Sequence, residues 1–402
     1  MSVSPQRAVV TGCGALSPLG CGVPAFWSGL LAGRSGLAPT VGADDVQVLV
    51  GAVKDFAPER DLAADEVQRL DRITQYALIA AREALRDAVL DLTAVNRTRV
   101  GVILATTIGG MLIGEAYQHA KHDGRSFDAR QLLHHPYYAV AMRLARALDV
   151  RGPVVSPSIA CASGTQAVGL ALEFIRLGHG DVFIVGGAET ICAFVTDGFN
   201  CLRATTSDVV RPFDARRDGL ALGEGAAVLV IESLAHAQAR GARVDVEVAG
   251  TGLSSDATHM TAPARDGSGA ARAMRAALAD AEIEPSAVDC ISAHGTGTVY
   301  NDAMEIAAIT AVFGDNAARI PINGIKGAIG HTLGAAGSFE AIMSAQILRT
   351  GVIPPTANCE QLDPGCPLDI VRGAPRRRAV RIVLSTSSAF AGNNASIVLR
   401  RA

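Results

Sequence analysis

The chain has 402 residues, 49% of them hydrophobic and 19% charged, with 42 glycines. That length predicts two or three domains' worth of chain around a large buried core, and the balance excludes a disordered, collagen-like or coiled-coil protein. A formal charge of −3 and the lack of any long Lys/Arg run give no basic face, so nucleic acid is not an expected partner.

In chain order, the start MSVSPQRAVVTG offers one Arg and three apolar residues before Thr11, too little for a signal peptide. Strand-like runs are predicted at 7–14, 98–106, 153–159 and 181–188, with helical periodicity at 69–89 and 165–177 between them. The second half continues with strands at 243–252, 288–293, 318–323 and 381–385, and helices at 268–281, 301–312 and 334–350. Alternating strands and helices predict an α/β protein of parallel sheets covered by helices on both faces. Residues 109–136, rich in His, Tyr and Asp, read as an inserted loop or cap over a site. Residues 354–375 read as a surface excursion.

The uncharged stretches 8–33 and 152–172 are broken by Gly, Pro, Ser and Thr and are not bilayer spans, so no membrane is expected. Eight scattered cysteines without a CxxC pair predict buried thiols in a reducing cytoplasm, with no disulfide framework or zinc site.

The halves repeat. VTGCG at 10–14 matches VAGTG at 248–252, and ALRDA at 84–88 matches ALADA at 277–281. PVV from 153 matches PIN from 321, and the long helices that follow end at Gly178 and Gly351. Their common order predicts a duplicated architecture with an N-terminal half at 1–242 and a C-terminal half at 243–402.

Three segments carry candidate chemistry. In SIACASGTQAV, from 158, an apolar strand stops at Ala160 and a helix begins just after Cys161. A helix N-terminus favours thiolate over thiol, which suits a nucleophile. Taken alone, such a cysteine reads as well as a small buried residue. SAHGTGTVYND, from 292, puts His294, Thr296 and Thr298 in a loop after a strand, where the histidine could equally cap a helix. NGIKGAIGHTLGAAG, from 323, places Lys326 and His331 ahead of a small-residue helix start. No Walker A or complete dinucleotide fingerprint is present, so nucleotide binding is not expected. A cysteine in one half and two histidines in the other form the constellation of thiol-based acyl transfer. His119, His122, His134 and His135 have no ligand spacing and read as solvated, so no metal is expected.

ACASG at Cys161, HGTGT at 294–298 and K-x4-H at 326–331 resemble the β-ketoacyl-acyl-carrier-protein synthases of the thiolase superfamily. RPFD at 211–214, RDG at 217–219, GEG at 223–225 and the closing segment with Phe390, Gly392 and Asn394 match the same family. The resemblance implies the thiolase fold, a duplicated αβαβα layering of two pseudo-symmetric halves. It implies that Cys161 takes an acyl chain as a thioester from carrier-protein phosphopantetheine. His294 and His331 would stabilise the enolate formed when a malonyl thioester loses CO2, and backbone N–H groups of Cys161 and Phe390 would hold the oxyanion. Lys326 would keep the site positive, Thr296 and Thr298 would hold the pantetheine, Phe390 would gate the acyl pocket, and Glu305 would tie down the Lys326 loop. No tightly bound cofactor is implied. The implied partners are an acyl carrier protein and a second subunit, either another copy or a chain-length-factor-like chain.

Three departures from the family pattern stand out. GFGGxN reads AFAGNN at 389–394, the stretch 202–210 is short, and the 109–136 insertion has its own composition. They favour a specialised type II polyketide or polyene ketosynthase over a housekeeping fatty-acid enzyme. A thiolase would carry a second cysteine near the C-terminus, and none follows Cys366. A non-catalytic chain-length factor would lack Cys161.

Overall fold

A computed structural model of the chain describes residues 6–41 and 47–402. The strands of its main sheet are short runs of Val, Ile, Ala and Gly, most of them buried throughout, as strands covered on two faces must be. In chain order they are β1 (Ala8–Ser17), β2 (Val100–Ala105), β3 (Val154–Val155), β4 (Val182–Glu189), β5 (Gly225–Ser233), β6 (Val246–Ser255), β7 (Cys290–Ser292), β8 (Pro321–Asn323), β9 (Asp369–Ile370), β10 (Ile382–Ser388) and β11 (Asn393–Arg401). They lie in the order β9-β8-β7-β10-β11-β6-β1-β5-β4-β2-β3, and Gly20–Cys21 pairs with the end of β1.

Outward from the centre, one arm runs β1, β5, β4, β2, β3 and the other β6, β11, β10, β7, β8, with β9 added at its edge; β9 apart, each set follows the order first, fifth, fourth, second and third. The arms meet at three pairs, Ala8↔Val248, Val9↔Glu247 and Val10↔Val246. The helices that matter here are α1 (Arg72–Asp87), α2 (Met111–His122), α3 (Tyr137–Ala147), α4 (Ser163–Arg176), α5 (Ala193–Cys201), α6 (Ser268–Asp280), α7 (Val299–Phe313) and α8 (Ala336–Thr350). Leu172 and Ile175 of α4 share one buried cluster with Phe339 and Ile342 of α8 and with residues of both arms, so these two helices fill the middle. α1 and α3 cover the outside of the first arm, and α6 and α7 the outside of the second. Five layers result.

The repeated GxG has a direct cause. A Cβ on Gly12 would stand 2.1 Å from the Ala84 carbonyl oxygen, and one on Gly250 would stand 2.5 Å from that of Ala277. Both strands kink beside these glycines, with register shifts at Val10/Gly12 and Val248/Gly250. The two motifs matched along the sequence are therefore the two sides of one strand–helix contact, built twice.

Three expectations need correction. The sheet is mixed rather than parallel. β1, β5, β6 and β11 each run antiparallel to both neighbours, and the alternation pattern singled out neither β5 nor β11 nor the edge strand β9. β10 and β11 are joined by only residues 389–392, and so short a turn permits antiparallel pairing alone. Residues 109–136 hold α2 and a helical turn at Ala129–His134 rather than an open loop. Residues 354–375 are not merely superficial: Cys359, Cys366, Leu368 and Ile370 are buried, and β9 extends the sheet edge. Among the described residues no helix is long and apolar enough to cross a membrane.

Candidate active site

Cys161 stands in the turn between β3 and α4. Ala160 just before it has φ +52°, a left-handed conformation that costs a non-glycine residue about 1–2 kcal/mol. Ser163 holds this turn: its hydroxyl donates to the Ala160 carbonyl (2.6 Å) and accepts the Ile159 N–H (2.8 Å). Cys161 lines a cavity of about 300 Å³ together with His294, His331, Thr296, Thr298 and Phe390. The backbone N–H groups of Cys161 and Phe390 both face its sulfur, yet burial pushes the thiol up to about 12. Desolvation is the largest effect and the Glu189 charge adds to it, while the Lys326 charge and the two backbone N–H groups favour the thiolate.

His294 follows β7. Glu305 on α7 accepts the backbone N–H groups of His294 (2.6 Å) and Gly295 (2.8 Å), so it anchors the His294 loop and not the Lys326 loop. Lys326 opens the short helical turn Lys326–Ile329 and is almost wholly buried. Its ammonium donates to the His294 carbonyl, to His294 Nδ1 (3.3 Å) and to Glu340 Oε1 (2.6 Å). An ammonium has no acceptor, so Nδ1 of His294 must accept and the ring proton sits on Nε2. His331 is set the same way, because the Leu333 N–H donates to its Nδ1 (3.2 Å). The two rings stand edge to face, 5.3 Å between centroids. Burial first, and then the Lys326 charge, hold both imidazoles well below their usual range, and they are neutral.

Thr296 and Thr298 share a hydrogen bond of 2.9 Å between their hydroxyls, and Thr298 caps α7 through the Asn301 N–H. Phe390 stacks on Phe199 of α5, with centroids 5.3 Å apart and planes at 21°. The closing motif's two alanines differ in consequence. Ala389 is extended, with φ −143°, and needs no glycine, whereas Ala391 has φ +63°. Met111 and Leu112, at the start of α2, pack on the apolar cluster that contains Cys161 and Cys192, so only that edge of the insertion reaches the site. His119, His122 and His135 are exposed, whereas His134 is half-buried with Nδ1 3.5 Å from Asp71.

Two acidic residues escaped the sequence reading. Glu340 is the carboxylate opposite Lys326. Glu189, at the end of β4, accepts N–H groups from Thr107, Ile108 and Gly334 and the Thr106 hydroxyl, tying a loop of one arm to the α8 end of the other. The available signal was a lone acid in an otherwise apolar strand or helix, since such residues are almost never buried unpaired.

Comparison with known proteins decides the family. Residues 6–237 match the Beta-ketoacyl synthase, N-terminal domain, and residues 246–360 the Beta-ketoacyl synthase, C-terminal domain. The chain belongs to the β-ketoacyl synthase family. As a β-ketoacyl synthase it is an acyltransferase-type condensing enzyme with the thiolase fold. It is 38% identical to the 3-oxoacyl-[acyl-carrier-protein] synthase 2 of Staphylococcus aureus (strain COL), over 98% of each chain. The structure titled "The ishigamide ketosynthase/chain length factor" superposes with a TM-score of 0.93 at 40% identity, covering 99% of each chain. A type II polyketide acyl-carrier protein in complex with its ketosynthase, AntDE:AntF, gives a TM-score of 0.91 at 32% identity, covering 99% of this synthase and 100% of that chain.

Proposed function

We propose that this synthase elongates a carrier-protein-bound acyl chain by decarboxylative Claisen condensation, in a specialised polyketide or polyene pathway. The carrying observation is a buried thiol faced by two backbone N–H groups, sharing one cavity with two neutral imidazoles that both keep their proton on Nε2. In the first step the Cys161 sulfur adds to the acyl-pantetheine carbonyl. The pantetheine sulfur leaves and takes up the proton that Cys161 gives up. In the second, the malonyl thioester loses CO2, and the electron pair of the broken C–C bond moves onto the thioester oxygen as an enolate. The His294 and His331 Nε2–H groups donate to that oxygen. The enolate carbon then attacks the acyl carbonyl on Cys161, and the backbone N–H groups of Cys161 and Phe390 hold the oxyanion. The C–S bond breaks, and the Cys161 thiolate takes up a proton from solvent. Losing one such donor costs about 3 kcal/mol of transition-state stabilisation.

Lys326 orients His294 and keeps both rings neutral, Glu305 fixes the His294 backbone, and Thr296 and Thr298 bind the pantetheine arm. Phe390 gates the acyl chamber. The substrates arrive on phosphopantetheine, with no other resident cofactor. The chain works in the cytoplasm as two halves, 1–242 and 243–402, with an acyl carrier protein and a second subunit, a copy or a chain-length-factor-like chain. Supporting a subunit contact, β3 is one of the two edges of the sheet, and Tyr137, Tyr138 and Met142 nearby are exposed. Favouring the specialised pathway are the alanines at 389 and 391 and the likeness to polyketide ketosynthases. The test supplies acyl-carrier protein and malonyl-carrier protein and measures CO2 and β-ketoacyl product. One CO2 per condensation supports the reading. Absence of product with both saturated and polyene acyl chains overturns it, and product from saturated chains alone overturns the specialised assignment.

A further inference from the structure

The Lys326–Glu340 pair does not end at Glu340. That carboxylate has two oxygens in a fully buried place: Oε1 takes the Lys326 ammonium, and Oε2 takes the Ser387 hydroxyl of β10 at 3.1 Å. Ser387 is in turn 2.7 Å from the Thr165 hydroxyl of α4, and all of these side chains are buried. Ser387 has one proton, committed to the carboxylate, so Thr165 is the donor to Ser387. The hydrogen bonds then run one way, from Thr165 to Ser387 to Glu340, which is paired with Lys326 on His294. They begin four residues past Cys161, on the helix that presents it, and end on a histidine from the opposite half. The helix starts meet closely here: a Cβ on Gly337 of α8 would stand 2.1 Å from the Thr165 hydroxyl.

We infer that Ser387, backed by Thr165, is a positioning residue that fixes Glu340 and through it the Lys326 ammonium against Nδ1 of His294, keeping the ring proton on Nε2. This rests on the proposed role of His294 as a donor to the malonyl oxygen. Without the Ser387 hydroxyl, a buried carboxylate oxygen loses its donor, and the ion pair that holds the ring is free to shift.

The test uses the full chain labelled with 15N-histidine, as wild type, Ser387→Ala, Ser387→Thr and Thr165→Val. Ring-nitrogen shifts in the free protein report the tautomer of His294. Malonyl-carrier-protein decarboxylation and acyl transfer to Cys161 are measured separately across pH. In Ser387→Ala the His294 signals move toward a mixed tautomer, and decarboxylation falls roughly tenfold, as expected for a lost hydrogen bond to a charged group, while acyl transfer changes less than about twofold. Ser387→Thr keeps the hydroxyl and stays at wild type, and Thr165→Val shifts the same signals by less. Unchanged His294 nitrogens in Ser387→Ala overturn the inference. So does an equal fall of both half-reactions in Ser387→Ala and Ser387→Thr, which marks a packing role. A wild type that decarboxylates nothing refutes the proposed function, and the nitrogen shifts still decide the role of Ser387.

Discussion

His294 and His331 meet edge to face with 5.3 Å between their ring centroids, and each has its Nδ1 occupied by a donor of the protein itself. One donor is an ammonium and the other a backbone N–H, yet both leave the same ring nitrogen, Nε2, to carry the proton. A pair of imidazoles so fixed is a two-pronged neutral donor, suited to an oxygen that gains charge during a reaction.

The Lys326 charge disfavours imidazolium at both rings. Followed by NMR between pH 8 and 6, neither His294 nor His331 of the wild type titrates. In Lys326→Ala the nearby positive charge is gone, so both rings gain protons at higher pH and move toward the ordinary histidine range of about 6.5. Titration of either ring near 6.5 in the wild type contradicts the assigned neutral state.

Ala391 sits where the backbone turns left-handed, with φ +63°. That conformation costs alanine about 1–2 kcal/mol, and a glycine returns about 0.5–1 of this through unfolded-state entropy. Ala391→Gly is expected to stabilise the protein by about 0.5–1 kcal/mol in chemical denaturation. It also frees the turn that carries Phe390. A less stable Ala391→Gly protein shows that the alanine methyl makes a packing contact worth more than the strain.

The stack of Phe199 on Phe390 joins α5 to the closing turn. Such pairs are worth about 0.5–1.5 kcal/mol beyond the area they bury. Phe199→Ala should broaden the acyl lengths loaded onto Cys161 and leave malonyl decarboxylation within about twofold, since the two histidines are held by Lys326 and the Leu333 N–H and not by this stack. Competition between carrier proteins bearing short and long acyl chains measures this directly. An unchanged acyl preference removes Phe199 from the gate.

Much of the architecture was legible because the duplication repeats a steric constraint. Gly12 with Ala84, and Gly250 with Ala277, recur because a helix backbone rests on a strand that can carry no Cβ there. Gly12→Ala and Gly250→Ala should each cost about 3 kcal/mol or more in denaturant unfolding, the upper range for overpacking. A loss below about 1 kcal/mol in either indicates that the contact relaxes easily. β5 and β11 were missed because alternation with helices is a rule for parallel strands, and these two enter the sheet by other connections. The site residues with sequence motifs, Cys161, His294, Lys326 and His331, were legible as chemistry on loops after strands. Glu340 and Ser387 were not, since each is recognisable only by what stands opposite it: Lys326 is 14 positions from Glu340, and Thr165 is 222 from Ser387. How strongly burial opposes the Cys161 thiolate was hidden for a related reason. A helix mouth is visible locally, whereas the desolvation that outweighs it comes from the whole fold.

The most direct measurement is intact and peptide mass of the protein after incubation with an acyl-loaded carrier protein. The account predicts the acyl mass on the peptide that contains Cys161, and none anywhere in Cys161→Ala. An unmodified wild type, or an adduct that persists without the sulfur, would contradict it.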